Sequence, residues 1–335
     1  MTLDLQLLDP DDEQQLDAIV ALFAATDAVD APWRHGATPR SIRQEHLLGY
    51  DGDPEPFYLI HRGSDLVAVG AMALPSRDNL DSGWIYAAVH PDARRKGIGR
   101  WTYTELIGLA TDAGRTVLGT FGIDLPHTRG FVDAIGFEVR SRSVTRRVTF
   151  ADLPAGATEA AYAQALPYAA DYDLLRVVGA LPDDLMAGYV QAVAAINDAP
   201  TDDLEQQDEV FDAERVRAYE RSHAVRGETL YRVIARHRET GEFAGHTVVT
   251  VDPERPTFGD QHDTTVVDAH RGHRLGVLLK TDMVRWLGEV EPACGMLTTS
   301  NAESNTHMIA VNDLLGYRPI SHGIACQRTP SSPAV

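Results

Sequence analysis

The sequence predicts a mixed α/β fold that occurs twice in tandem, and three observations carry that prediction. First, the chain has 335 residues, which suggests two domains of about 150–170 residues rather than one core. Second, a β-rich run, a basic glycine-containing turn and a helical stretch follow one another near residue 90 and again near residue 267. Third, the helical and β-rich segments around the two copies come in the same order, as a mixed sheet layered with helices requires.

In the first half, helices are expected over 12–26 and 41–48, and strands over 56–62 and 66–75, separated by Arg62-Gly63-Ser64-Asp65. A buried strand follows at 84–89, then the turn 90–99 and a helix from Arg100 to about Ala110. The second half answers with helices over 183–197 and 212–222, strands over 229–237 and 242–251 around Glu239-Thr240-Gly241, and a strand at 263–267. The turn 268–276 then leads into a helix ending near Leu287. Arg94 recurs as Arg271 and Gly99 as Gly276, both 177 residues later, and Gly136-Phe137 recurs as Gly316-Tyr317 after 180. Two landmarks in one order at nearly one spacing indicate duplication of a single fold. The expected division is a first lobe over 1–150, a linker over 151–170 marked by Pro154, Gly156 and Pro167, a second lobe over 171–328 and a tail over 329–335.

Apolar residues at 44% and charged residues at 24% exclude a disordered or fibrous chain. A net charge of −19 argues against a nucleic-acid partner, which would draw on clustered cations, and suits a cationic small molecule, although an acidic surface alone reports solubility. Residues 1–15 lack a basic region followed by an apolar stretch, and no run approaches the roughly 18 apolar residues of a membrane span. A cytoplasmic protein with no membrane partner, monomeric or homodimeric, is therefore expected. Cys294 and Cys326 have no CxxC spacing and are read as buried thiols. Only Lys96 and Lys280 among the 30 basic residues are lysines, which, with abundant Ala and Asp, looks like a GC-rich bacterial coding bias.

A strand that ends in a basic, glycine-containing turn and opens into a helix is an anion-binding device, because successive backbone N–H groups and the helix dipole point into the turn. Gly97 and Gly99 let the backbone approach a diphosphate, and Arg94, Lys96 and Arg100 can neutralise it. No GxxxxGK[ST] occurs, and Gly97-Ile98-Gly99 does not continue as GxGxxG.

Val89, Arg94, Arg95, Lys96, Gly97, Ile98, Gly99 and Arg100 resemble the pyrophosphate loop of the GNAT N-acetyltransferase superfamily. Val266, Val267, Arg271, Gly272, His273, Arg274, Leu275 and Gly276 repeat it, with Arg274 in place of the first loop glycine. The two-lobe arrangement resembles the tandem acetyltransferases of actinobacteria, mycothiol synthase among them, but lacks that enzyme's tyrosine. The resemblance implies acetyl-CoA, or another acyl-CoA, as co-substrate, no metal, and a small-molecule primary amine as acceptor: an amino sugar, an antibiotic-like amine or a polyamine. Aligned on Gly316-Tyr317, Asn305 falls where the family holds pantetheine, with Asn301 beside it on the preceding segment. Asn312 falls where many members place a tyrosine that protonates the leaving thiolate. The same two positions in the first half are Leu125 and Val132. Asparagine is not acidic enough for that transfer, so Asn312 is expected at most to hydrogen-bond the sulfur or orient a water.

The carbonyl-polarising N–H is expected near Val266, or near Val89 if the first lobe is the active one. Asp263 is the first candidate for the base, with His262 and His307 behind it. His270 and His273 form an HxxH, but no further ligands complete a metal site, so His270 is read as capping the loop and His273 as the counterpart of Lys96. Asp202, Asp203, Glu205, Asp208 and Glu209 are most simply a solvated charge run, placed where the family shapes its acceptor pocket. The reading is an N-acetyltransferase with the second lobe catalytic. Its alternatives are catalysis in the first lobe and a non-catalytic coenzyme-A-binding scaffold; a nucleotide-binding protein is weaker, because no acidic metal-binding strand follows the loop.

Overall fold

The computed structural model describes residues 2–328; the expected tail over 329–335 lies outside them. The chain forms two compact units. One comprises the chain up to Arg142, the segment Asp202–Asp208 and the chain from His322, and the other comprises Ser143–Thr201 and Glu209–Ser321.

In the first unit the order is β1 (Asp4–Leu7), α1 (Glu13–Asp30), α2 (Pro39–Leu48), β2 (Phe57–Arg62), β3 (Asp65–Ala73), β4 (Ser82–Val89), α3 (Ile98–Asp112), β5 (Val117–Ile123) and α4 (Pro126–Ala134). Asp12 caps α1 through the N–H groups of Gln14 and Gln15. Thr38 and Ser41 exchange the bonds of a capping box at α2, with Pro39 fixing the first turn. Leu16, Ile19 and Leu22 of α1 and Ile42 of α2 pack on Leu59, Val69, Ala71 and Ala88, one face of the sheet. Tyr103, Leu106 and Ala110 of α3 and Val132 of α4 pack on Met72, Ile85 and Leu118, the other face. Helices on both faces explain why β3 reads as nearly continuous apolar sequence rather than alternating. Gly70 on β3 is small because a Cβ there would meet Leu106 Cδ1 at 2.7 Å.

The second unit contains α5 (Ala157–Ala165), β7 (Tyr172–Val178), α6 (Asp183–Val193), α7 (Ala213–Arg226), β8 (Thr229–His237), β9 (Phe243–Val251), β10 (Phe258–Val266), α8 (Leu275–Val290), β11 (Met296–Ala302) and α9 (Thr306–Leu314). Leu275, Leu278, Leu279, Met283 and Leu287 of α8 pack on Val233, Ala244, Val249 and Leu297. Met186, Tyr189 and Val193 of α6 and Val216 of α7 cover Ile234 and Phe243 on the opposite face. The expected linker over 151–170 is mostly structured. Its α5 packs with Ala165 in the α8 core and ties Glu159 to Arg285, because a helix that buries Ala165 gains more against α8 than as an exposed tether. The short strands β1 and β7 escape the sequence reading, because neither has the alternating apolar run that marks a strand.

Each sheet is completed by a strand from the other half of the sequence. In the first unit, β1 through β4 pair antiparallel in sequence order, β5 lies parallel to β4, and Gly323–Arg328 of the C-terminal strand β12 (Arg318–Arg328) pairs with β5. In the second unit, β7 through β10 pair antiparallel, β11 lies parallel to β10, and Ser143–Thr149 of β6 (Glu138–Thr149) pairs with β11. The boundary expected at residue 150 therefore moves to 142, and the first unit's core contains Ile324 and Cys326. Both strands follow a Gly-aromatic pair and bury alternate residues, Val144 and Val148 in one and Ile324 and Cys326 in the other, so either pattern suits either slot.

The acidic stretch is also redistributed. Asp202–Asp208 belongs to the first unit: Asp202 bonds to Ser141 Oγ at 2.5 Å, the Asp203 N–H donates to the Arg140 carbonyl, the Glu205 N–H donates to Gln327 Oε1, and Gln207 is gripped by Asn79. Only Glu209 stays with the second unit, where it pairs with Arg215 at 2.7 Å. Bonds from its backbone to the Arg140 carbonyl and the Gln327 side chain fix this segment more firmly than solvation would.

Candidate active site

The two basic turns have one shape. Arg95 and Gly97 take left-handed backbone at φ 62° and 80°, and Gly272 and Arg274 do so at φ 85° and 54°. Each turn thus has one glycine and one arginine in left-handed positions, in opposite order, and Arg274 keeps the shape that the lost glycine would give. Its guanidinium stacks 4.1 Å from the centre of the Tyr168 ring, which offsets the cost of about 1 kcal/mol for a non-glycine residue there. Neither α3 nor α8 has a side-chain N-cap, so their first N–H groups and those of the preceding turn form a concave donor set suited to a diphosphate.

Around each turn the residues divide by task. Arg94 and Arg271 clamp the turn to the strand end: Arg94 Nε donates to the Val89 carbonyl while its other nitrogens hold Asp30 at 3.1 and 2.7 Å, and Arg271 reaches the Val266 carbonyl, Asp268 and Asp198. Lys96 bonds to the Asp92 carbonyl and Arg100 to that of Ala134, both from exposed positions. Ile98 and Leu275 are buried beneath the turns and offer only their N–H groups. His273 bonds through Nδ1 to the Tyr168 carbonyl, and His270 bonds to the Tyr172 hydroxyl at 3.0 Å. Among the described residues no group of His, Cys, Asp and Glu could hold a metal ion.

One difference between the turns bears on ligand access. A Cβ on Gly99 would meet the Phe131 ring at 3.2 Å, so a side chain from α4 already fills that space. Nothing lies within 4 Å of a Cβ built on Gly276, which leaves an open cradle over the second turn. The second turn is thus open above Gly276, whereas the first is crowded at Gly99 by Phe131.

On the approach to each turn the central parallel strands part. β4 and β5 pair from Ser82–Val117 only to Trp84–Gly119, and β10 and β11 from Phe258–Met296 only to Asp260–Thr298. The His90 N–H bonds to Val67 and that of Val267 to Ala244, on the outer neighbours. Since N–H groups alternate sides along a strand, those of Val89 and Val266 face into the splays. Val267, by contrast, has its N–H committed.

The bulge in β10 separates the units most clearly. β3 and β4 keep continuous register, whereas the pairing of β10 with β9 shifts between Gln261 and Thr264. His262 and Asp263 together stand where the first unit has Tyr86 alone, and the extra residue turns both toward α6 and α7. His262 is held on both nitrogens, by Tyr219 Oη at 2.7 Å and Thr250 Oγ1 at 3.2 Å, and burial pushes its pKa down to about 3. Among the described residues Asp263 has no hydrogen-bond or ion-pair partner, and burial pushes its carboxyl up to about 6. Close by, Tyr189 Oη meets His246 Nδ1 at 3.2 Å, and fully buried Arg232 approaches Glu220 at 3.3 Å. His246 Nε2 is buried without a hydrogen-bond partner among the described residues, and Arg232 Nη2 has only the ion pair with Glu220.

The late helix lies on the α8 side. Asn305 caps α9 through its Oδ1 and the Met308 N–H, and His307 is exposed in the first turn. Asn312 is fully buried, accepting from Lys280 Nζ at 2.6 Å and donating to Asn301 Oδ1 at 2.9 Å. Sequence reasoning overlooked Lys280, His246, Tyr189 and Arg232. For Lys280 a signal existed: it is one of two lysines in an arginine-rich chain.

A tandem GNAT protein from the clavulanic acid biosynthesis pathway matches this structure with a TM-score of 0.81 and 23% identity, covering 100% of each chain. The chain has the tandem GNAT fold. A GCN5-related N-acetyltransferase from Sphaerobacter thermophilus shares that fold at a TM-score of 0.70 and 15% identity, over 99% of this chain and 97% of its own. A glucosamine N-acetyltransferase region of a fungal multi-domain β-N-acetylglucosaminidase does so at 0.67 and 13%, over 98% of this chain and 38% of that one. No family model and no curated protein sequence matches the chain. The paired turns, splays and late helices are thus the two GNAT lobes, and no helix among the described residues is long and apolar enough to cross a membrane.

Proposed function

We propose that this protein is an acyl-CoA-dependent N-acyltransferase that acetylates a primary amine of a cytoplasmic small molecule, with the second unit as its catalytic lobe. The observation that carries the reading is Asp263, an unpartnered carboxylate aimed by a bulge beside the β10–β11 splay. Bound acetyl-CoA would supply an activated acyl thioester. The turn at 271–276 and the α8 N-terminus would hold its diphosphate, and Asn301 and Asn305 its pantetheine arm. The Val266 N–H donates to an acyl oxygen lying in the splay, and Asp263 removes the proton that the attacking amine must lose. A base with a pKa near 6 is ionised at neutral pH yet still basic enough to accept that proton. His262 orients the wall of this recess, since both its nitrogens are bonded. The first unit binds a coenzyme weakly or not at all, in keeping with Phe131 over Gly99.

Calorimetric titration with acetyl-CoA tests the reading without the acceptor. One site per chain, abolished by Gly276→Glu and retained in Lys96→Glu, supports it; no binding at millimolar ligand overturns it. Thiol release across polyamines, amino sugars and aminoglycoside-like amines then identifies the acceptor class. The net charge of −19 favours such cationic substrates over nucleic acid, and the reading needs no partner beyond a monomer or homodimer.

A further inference from the structure

Lys280 is 2% exposed, and among the described residues no carboxylate lies within ion-pair distance of it. Its Nζ bonds to Asn312 Oδ1 at 2.6 Å and lies 4.7 Å from the centre of the Tyr317 ring. An ammonium can only donate, so it fixes the Asn312 amide with its oxygen toward Lys280 and its nitrogen away. That nitrogen donates to Asn301 Oδ1, so Asn301 in turn presents its own Nδ2, which has no hydrogen-bond partner. Asn301 is half-buried and lies on β11 beyond Thr298, the last residue paired with β10. Two hydrogen bonds, from Lys280 to Asn312 and from Asn312 to Asn301, each donor pointing the same way, thus run from a buried charge to the wall of the splay, where each polarises the next.

Packing does not call for this arrangement. The equivalent first-unit positions are Tyr103, Val132 and Gly122, and there Tyr103 bonds to Thr120 at 2.7 Å and packs on the Phe131 and Phe137 rings. A buried ammonium with no counter-charge is costly, and its burial pushes Lys280 down to about 7. Lysine can be held near neutrality in this way, whereas the arginine used nearly everywhere else in the chain cannot.

We propose that Asn301, polarised through Asn312 by the positioning residue Lys280, stabilises the coenzyme A thiolate as it departs, so that an anion-binding donor replaces an acid. The proposal rests on the acyl-transfer reading. In the step, the amine nitrogen forms its bond to the acyl carbon, the carbon–sulfur bond breaks with its electron pair remaining on sulfur, and the amine proton passes to Asp263. Lys280 keeps its proton throughout. Two anions develop in the splay; the Val266 N–H on β10 serves the oxygen, and Asn301 on the opposite wall serves the sulfur.

Because the chain has two lysines, lysine labelled with 13C at Cε gives two signals, and the one missing from Lys280→Met is that of Lys280. Its titration is followed in the free protein and with saturating coenzyme A or desulfo-coenzyme A, binding of each being checked by calorimetry. Coenzyme A should raise the Lys280 midpoint by about one pH unit, as a nearby anion favours the charged ammonium, and the sulfur-free analogue should not. An equal response to both, or none, with both bound overturns the inference and leaves the acyltransferase reading standing. If neither binds, both fall. Independently, thiolate absorbance of bound coenzyme A should titrate lower in wild type than in Lys280→Met or Lys280→Gln; identical midpoints would also overturn it.

Discussion

In the first unit β4 runs in unbroken register to Val89, Tyr86 faces α1, and Tyr103 and Val132 close the core under α4. In the second, β10 bulges at His262 and Asp263, and the matching core positions hold Lys280 and Asn312. Both units keep the same turn, the same splay and the same strand order. Topology depends on many apolar contacts that tolerate exchange, whereas the chemistry depends on one inserted residue and two or three buried polar ones. A duplicated fold can therefore keep its shape in both copies while the buried polar groups of the two diverge.

The largest expected effect tests whether the copies are separable at all. Residues 1–150 expressed alone lose Ile324 and Cys326 from their core and leave β5 without β12, so they should not fold cooperatively, whereas a chimera that appends 318–328 should. Circular dichroism melts of the two distinguish these outcomes; a cooperative transition in the fragment alone would show that the exchanged strand is dispensable.

Next in size is the contrast between turns. Gly276→Glu should reduce kcat/KM for acetyl-CoA by 100-fold or more through charge repulsion of the diphosphate, yet fold normally, since the site is open and an anion favours a helix N-terminus. Lys96→Glu in the first unit should change it by less than about threefold, the range of a surface charge. Equal losses would mean that both units turn over.

Asp263→Asn should lower kcat by roughly 100-fold or more and remove an acidic limb near pH 6, while Tyr86→Phe leaves the profile alone. The same residue has a stability signature. Its folded pKa lies above the unfolded value, so the native state binds the extra proton, and stability contributed by the neutral acid is lost as pH rises through about 6. Asp263→Asn should therefore melt higher than wild type at pH 7, with the gap closing below pH 4. Lys280 runs the other way: its ammonium destabilises the fold below about 7 and ceases to do so as pH rises toward the ordinary lysine range, so Lys280→Met should gain most in melting temperature at low pH. Gaps that do not change with pH would rule out titration of these groups as the cause.

The smallest effect concerns left-handed backbone. Arg95→Gly should stabilise the first unit by up to about 1 kcal/mol, while Arg274→Gly should be nearly neutral, because it also loses the stack on Tyr168. Denaturant midpoints of the two variants sharpen the comparison of the turns.

The sequence by itself determined the duplication, the two basic turns, the long helices and most central strands, and it singled out Asp263 and Asn312. These are local facts: caps, apolar periodicity and turn glycines act within a few residues. Tertiary structure decided the rest. β6 and β12 have interchangeable patterns, so only long-range packing assigns each to the other half's sheet. The acidic run was read as solvent-facing because its partners Asn79, Arg140 and Gln327 are remote in sequence. A bulge leaves no mark on a hydrophobic pattern, and whether Asp263 stands unpartnered while His262 is tied down depends on α7 and β9 arriving from elsewhere. Lys280 on its own is a lysine in a helix; only the folded core, by removing water and supplying Asn312 as an acceptor, makes it a buried charge.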